Sequence, residues 1–326
     1  MTSTVRSVVT GAGGYLPPDV VTNEELSKVV DTSDAWIVER TGIRERRRAA
    51  PDQACSDLAV EAARKALADA GRTPADVDLI VVATTTSDLT FPATAALVQR
   101  KLGCPVGIAF DVQAVCSGFV YALSVADGFV ARGHARCALV IGSETMTRLM
   151  DWTDRGTCVL FGDGAGAVVL EPGAGQGTTA DRGILGFSLS CDGGKQDLLY
   201  VDGGPSTTGT VGKLRMQGNQ VFRHAVVNIS DAVRSAAANA GVEVSDVDWF
   251  IPHQANSRIL EGVAKRLGID EAKVISTVAR HANTSAASIP LALAEGLADG
   301  RIKRGDLLLM EAMGGGLTWG AVVLRL

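Results

Sequence analysis

Short apolar runs bounded by turn residues alternate along the chain with longer stretches whose apolar positions recur about every three to four residues. "LIVVATTT" (79–86), "CALVIGSE" (137–144) and "LLLMEA" (307–312) are of the first kind. Their unbroken hydrophobicity predicts strands buried on both faces, as in a parallel sheet covered by helices. "CSDLAVEAARKALADAG" (55–71) and "AVVNISDAVRSAAANAG" (225–241) are of the second kind, and each stops at a glycine, the usual end signal of a helix. "CSGFVYALSVADGFVARG" (116–133) predicts another long helix, with Cys116 in its first turn. Strands alternating with helices predict an α/β fold.

The pattern occurs twice. "ADAGRTPADVDLIVVA" (68–83) returns as "ANAGVEVSDVDWFIPH" (238–253), so that Gly71, Asp76 and Asp78 align with Gly241, Asp246 and Asp248 at a constant offset of 170. "KLG" (101–103) returns as "RLG" (266–268), "VARGHARCALVIGSE" loosely as "LADGRIKRGDLLLMEA", and "GAGAVVLEP" as "TWGAVVLRL", in the same order. A duplicated unit predicts two stacked halves related by a pseudo-twofold, each reading helix, strand, long helix, strand, strand. The Gly-rich stretch "EPGAGQGTTADRG" (171–183) is the natural seam, which puts the halves at 1–174 and 175–326.

Positions that break the symmetry are where chemistry has room to appear. Cys116 lies in the first half, His253 stands where that half has Ala83, and Asn283 lies in "ARHANTSAAS" of the second half. All three fall at the ends of equivalent elements, and open α/β sheets bind ligands at strand ends. Each has a bland alternative: inert core for the cysteine, a structural histidine, a capping asparagine. A thiol at a helix N-terminus, however, is expected to ionise more readily, and the amides there can hold an oxyanion.

Net charge and cysteine usage narrow the field. A net charge of -5 over 326 residues argues against general nucleic-acid binding. The six cysteines include no CxxC pair, so neither a zinc framework nor a disulfide scaffold is expected, and no metal is. The opening "MTSTVRSVVTGAGGYLPP" lacks the apolar core of a secretory leader, and the uncharged stretch around Cys116 is too short for a membrane span. A cytoplasmic protein is the expectation.

"FDVQAVCSGF", "IPHQAN", "RHANTSAAS" and the terminal "GGGLTWGAVVLRL" resemble the β-ketoacyl-acyl carrier protein synthase III family, the initiating condensing enzymes of type II fatty acid synthesis. The resemblance runs through "GAGGYLPPDVVTNEEL" and "SDAWIVERTGIRERR" to the C-terminus. It implies the thiolase fold, two αβαβα-type halves and a homodimer. It implies Cys116 as nucleophile, with His253 and Asn283 as its partners, and the backbone N–H groups of Cys116 and Gly315 as an oxyanion hole. Trp36, Arg40, Thr41 and Arg155 are implied for the CoA site, and Asn219 and Asn256 for the pantetheine channel. Phe91 would reach across the dimer to close the partner's acyl pocket, which favours a short primer such as acetyl-CoA. Arg223, Arg258, Lys265 and Arg266 are candidates for docking an acidic acyl carrier protein, since the last three share a helix face. Acyl-CoA enters as a substrate and no cofactor is implied. Ala282 stands where many family members have glycine, a small change from which little is expected.

Four rival readings stand beside this one. The order cysteine, histidine, asparagine matches papain-like chemistry, but "AVCSGF" lacks the peptidase flank and the chain is duplicated. A non-catalytic carrier-protein scaffold would not need all three residues. A priming ketosynthase of a polyketide or other secondary-metabolite pathway shares the motifs and stays open. A degradative thiolase would need a further cysteine near the C-terminus, and none follows Cys191.

Overall fold

The computed structural model describes residues 4–326. The chain runs through β1 (Thr4–Tyr15), β2 (Asp19–Thr22), α1 (Asn23–Leu26), α2 (Asp34–Thr41), β3 (Glu45–Arg48), α3 (Cys55–Ala70), β4 (Leu79–Ala83), α4 (Thr94–Leu102), β5 (Ile108–Val112), α5 (Gly118–Ala131), β6 (Ala138–Thr145) and β7 (Asp163–Gly175). It continues through β8 (Gly183–Cys191), β9 (Leu199–Val201), β10 (Leu214–Met216), α6 (Gly218–Ala240), β11 (Trp249–Pro252), α7 (Ser257–Leu267), α8 (Val278–His281), α9 (Ser288–Ala298), β12 (Leu307–Gly314) and β13 (Thr318–Arg325).

Two sheets carry the fold, in the orders β1-β7-β6-β4-β5 and β11-β12-β13-β8. In the first, β4 is parallel to β5 and β6, while β6–β7 and β7–β1 are antiparallel. The second repeats this: β11 is parallel to β12, and β12–β13 and β13–β8 are antiparallel. α5 and α9 lie between the sheets, α3 and α4 cover one outer face, and α6 covers the other with α7 packed beside it. This is the five-layered α/β architecture of a thiolase-like fold. The helices explain why β4, β6 and β12 are buried at every turn of the pleat and largely apolar, since both of their faces meet helix.

The aligned residues of the repeat do the same work twice. Gly71 and Gly241 end α3 and α6 in the left-handed conformation, at φ +64 and +72. Asp76 and Asp246 accept from the N–H groups of Thr73 and Glu243, closing a short turn. Asp78 accepts from the N–H of Cys137 and Asp248 from that of Leu307, each just where the neighbouring strand begins. The pattern is kept because each aspartate ties a loop to the strand next to it.

Three details differ from the sequence reading. The proposed seam is partly strand: β7 extends to Gly175, because β1 offers it an antiparallel partner from Thr4↔Gly175 to Val8↔Glu171. The true connection between sheets is 176–182, gathered by Asp181, which accepts from the N–H groups of Gln176, Gly177 and Thr178. The second half also has no full equivalent of β5, whose place is taken by a single parallel bridge, Phe250↔Val274. Finally, α5 begins at Gly118, and Cys116 sits in a preceding 3-10 turn, Val115–Ser117.

Candidate active site

The Cys116 turn is strained and tightly held. Val115 has φ +49, a region that costs a β-branched residue about 1–3 kcal/mol. At the repeat offset of 170 stands Ser285, with φ +50, opening the turn Ser285–Ala287 before α9. The two turns pack against each other, so each sheet presents its central helix through the same kinked entry. Ser117 Oγ donates to the Ala114 carbonyl at 2.7 Å and also meets Thr318 Oγ1 at 2.7 Å. Thr318 Oγ1 in turn reaches the carbonyls of Ala114 and Gly315, tying the glycine turn after β12 to the Cys116 turn. At Gly314 any Cβ would lie 2.6 Å from the Cys116 nitrogen, so only glycine lets β12 come this close.

The thiol itself departs from expectation. Burial pushes Cys116 up to about 12, with the Glu144 charge adding to the rise and the Ser285 hydroxyl opposing it. Desolvation outweighs the pull of the α5 N-terminus, so the resting group is a thiol and not a partly ionised thiolate.

His253 follows β11 and is buried. Burial depresses it to about 3, which keeps the ring neutral at any working pH. Its Nδ1 lies 2.6 Å from Ser288 Oγ, at the first residue of α9. Asn283 is locked by backbone: its N–H donates to the Leu160 carbonyl and its carbonyl accepts from Gly162 N–H. Its side-chain Oδ1 accepts from Ser285 N–H at 2.9 Å, which leaves the Nδ2 amide as the free end.

Cys116, His253 and Asn283 line one cavity of about 310 Å³ together with Arg40, Thr41, Asn219, Asn256 and Arg258. α2 and α7 bring the outer residues in. Gly42 ends α2 against Ser257, so closely that a Cβ would lie 2.8 Å from the Ser257 Cβ, and Arg258 donates to the Glu39 carbonyl at 3.0 Å. Asn256 caps α7 by accepting from Ile259 N–H. Beyond Arg40, the Trp36 ring carries two guanidinium groups, Arg40 at 4.6 Å and Arg155 at 4.9 Å from its centroid.

Other expected residues lie elsewhere. Phe91 is 83% exposed and lines neither this cavity nor the second large one, although its neighbours Leu89 and Thr90 line the second. Arg223, Lys265 and Arg266 are exposed outside the cavity. At Gly315 a Cβ would lie 2.6 Å from the Leu199 carbonyl oxygen, and the Gly315 carbonyl accepts from Thr318 Oγ1. Among the described residues, no three His, Cys, Asp or Glu side chains gather as a metal site, and no helix is long and apolar enough to cross a membrane.

Ser288, Ser285, Glu144 and Glu311 escaped the sequence reading. The serines stood in the quoted "HANTSAAS" run, where three hydroxyls lead into the apolar helix "IPLALAEGLA". The acids ended apolar strand patterns and passed as strand ends. Yet Glu144 and Glu311 are fully buried, which a sequence does not reveal.

Two family models match, those of the 3-oxoacyl-[acyl-carrier-protein] synthase III domain over residues 110–193 and of its C-terminal domain over 237–326. A β-ketoacyl-[acyl-carrier-protein] synthase III of Caulobacter vibrioides is 79% identical over 99% of this chain and 100% of its own. One from Rhodospirillum centenum is 61% identical over 98% of this chain and 99% of its own. The solved structure of the Aquifex aeolicus 3-oxoacyl-[acyl-carrier-protein] synthase III superposes with a TM-score of 0.92 at 46% identity, covering 98% of this chain and 100% of that one. A priming β-ketosynthase from a polyketide biosynthetic pathway also gives 0.92, at 37% identity, covering 100% of this chain and 98% of that one. The chain therefore belongs to the β-ketoacyl-acyl carrier protein synthase III family.

Proposed function

We propose that the protein condenses a short acyl-CoA, acetyl-CoA in the first instance, with malonyl-acyl carrier protein to give 3-oxoacyl-acyl carrier protein, opening a round of fatty acid synthesis. The observation that carries this is the meeting of a buried thiol, a neutral imidazole and a free carboxamide in one cavity. Cys116 takes the acyl group from CoA, which splits the reaction into two easier steps. Malonyl-acyl carrier protein then enters, and loss of CO2 leaves an enolate on its thioester. With Ser288 donating to Nδ1, His253 carries its proton on Nε2, and Nε2–H and the Asn283 amide donate to that enolate oxygen. Neutral donors fixed in a dry site strengthen as charge develops. The carbanion attacks the acyl carbon, whose oxyanion is held by the N–H groups of Cys116 and Gly315. The room that Gly314 leaves at the Cys116 nitrogen supports this reading.

Trp36, Arg40 and Arg155 form the nucleotide end of the CoA site. An adenine takes the place of one guanidinium on the Trp36 face, and the displaced arginine pairs with phosphate. Thr41, Asn219 and Asn256 flank the pantetheine arm. The carrier protein docks on Arg223, Arg258, Lys265 and Arg266. The protein acts as a cytoplasmic homodimer joined along the β5 edge, where Leu89, Phe91, Val106 and Ile108 are exposed apolar side chains. Phe91 there closes the partner's acyl pocket. No cofactor enters the scheme, because sulfur, two neutral donors and the substrate carboxylate supply all the chemistry.

The test is product formation from purified components. With acetyl-CoA and malonyl-carrier protein, 3-oxobutyryl-carrier protein and CO2 should appear together. Replacing Phe91 with Ala should extend acceptance to longer acyl-CoAs. Wild-type preference for primers of eight or more carbons would refute the short-primer assignment, since about six added methylenes at ~0.8 kcal/mol each would have to find room.

A further inference from the structure

As the Cys116 sulfur attacks a thioester its proton must leave, and His253, depressed to about 3, is a poor acceptor for it. A second buried acid is better placed. Glu144, near the end of β6, is fully buried, and its hydrogen-bond partners are all neutral: Thr84 Oγ1, the N–H and Oγ1 of Thr85, and Thr86 Oγ1 at 2.6 Å. The Ser285 turn packs between the Cys116 turn and β6. It fits there because Gly142 of β6 has no side chain: a Cβ would collide with the Ala286 carbonyl. Ser285 opens the turn lodged between the two elements, and its hydroxyl favours the charged form of both the thiol and the carboxyl. Its oxygen makes no hydrogen bond of standard geometry here, so the hydroxyl must turn to reach each group in sequence. The titratable groups facing Glu144 are Cys116 and Cys55, the latter from α3 through Thr84 Oγ1, with Asp88 further out on Ser56.

We propose that Glu144, working through the Ser285 hydroxyl, takes the Cys116 thiol proton during acylation and returns it when the product leaves the sulfur. The inference rests on the acyl-transfer reading above. In the first half-reaction the S–H bond of Cys116 breaks, its sulfur bonds the acyl carbon, and CoA leaves as a thiolate. Ser285 accepts the thiol proton as it passes its own to Glu144. The CoA thiolate is protonated from solution, so the half-reaction takes up one proton. In the second half-reaction the malonyl carboxylate leaves as CO2, and its electron pair ends on the Cys116 sulfur. That sulfur recovers the proton from Glu144 through Ser285, so this half-reaction takes up none. Burial suits the role, because it raises the Glu144 carboxyl and so favours the protonated form while the acyl group waits.

The test counts protons in the acylation half-reaction alone. Wild-type enzyme is mixed with acetyl-CoA at pH 8 in weak buffer containing an indicator dye, and acyl-enzyme is measured by mass spectrometry on the same mixture. The expected result is one proton taken up per acyl group formed. Glu144→Gln should take up none and acylate about 10²-fold more slowly, with a rate that climbs with pH where the wild-type rate is level. Ser285→Ala, which leaves the threonine partners of Glu144 in place, should behave like Glu144→Gln and covers the case in which that variant fails to fold. Acylation without proton uptake in the wild type, or unchanged stoichiometry and pH profile in both variants, overturns the proposal. Failure of the wild type to form any acyl-enzyme would instead overturn the acyl-transfer reading.

Discussion

Asn283 spends its oxygen on the Ser285 N–H and keeps its amide for the cavity, which suits the proposed role in one half of the reaction. Asn283→Ala should still be acylated by acetyl-CoA but should decarboxylate malonyl-carrier protein ~10²–10³-fold more slowly, the usual loss for one oxyanion donor. Rapid-quench sampling of acyl-enzyme beside CO2 release separates the two, and loss of acylation as complete as in Cys116→Ala would reassign the residue. Glu311, one strand over from Pro252, is a different kind of acid: buried, with Oε2 unpartnered, and raised by desolvation to about 8. In the unfolded chain it titrates near its ordinary value, so between roughly pH 4.5 and 8 the folded state holds a proton that the unfolded state has lost. Its contribution to stability is thus full below that window and is lost as pH rises through it. Glu311→Gln should flatten the fall in unfolding free energy by up to about 1.4 kcal/mol per pH unit. Denaturation at pH 5 and pH 8 measures this, and parallel curves for the two proteins would show that Glu311 does not titrate there.

At the scale of elements, the two kinked turns before α5 and α9 define the site, and they were the least legible part of the sequence. Val115 and Ser285 both hold φ near +50, yet neither is a glycine, so nothing in their identity announces the turn. Ala282 is a third case, with φ +56 and ψ −160, a conformation suited to glycine. The expectation that alanine changes little there is therefore amended: the backbone is strained. Ala282→Gly should relieve about 1–3 kcal/mol of strain while losing one buried methyl worth ~0.8 kcal/mol and some chain entropy. A net gain of up to about 1 kcal/mol in chemical denaturation is expected, and a loss larger than that would mean the methyl packs better than the strain costs. The regular elements were easier to read. β4, β6 and β12 showed as apolar runs because helices cover both faces, and the repeat survived because its glycines and aspartates close turns in both halves. The end of β7 was hidden by its Gly- and Pro-rich composition, which only its pairing with β1 overrides.

Across the whole molecule, charge and symmetry decide who meets the site. Cys116, His253 and Asn283 stood out in the sequence because each breaks the duplication, whereas Ser288 and Glu144 became visible only once the halves were packed together. An acidic carrier protein approaching a surface of net charge -5 needs a local basic patch, and Lys265 and Arg266 at the exposed end of α7 offer one. Arg258 lines the cavity itself and braces α2, so charge reversal there would mix docking with CoA binding. The double change Lys265→Glu and Arg266→Glu should raise the KM for malonyl-carrier protein about tenfold or more at low salt, leave acylation by free acetyl-CoA unchanged, and lose its effect as salt screens the patch. Equal loss in both steps would place the patch elsewhere. The most direct measurement of the central claim is the mass of the intact protein through one turnover. After acetyl-CoA, the wild type should gain one acetyl group on Cys116, keep it in the absence of other substrate, and lose it on addition of malonyl-carrier protein as 3-oxobutyryl-carrier protein appears. No mass gain, or a gain that persists in Cys116→Ala, would contradict it.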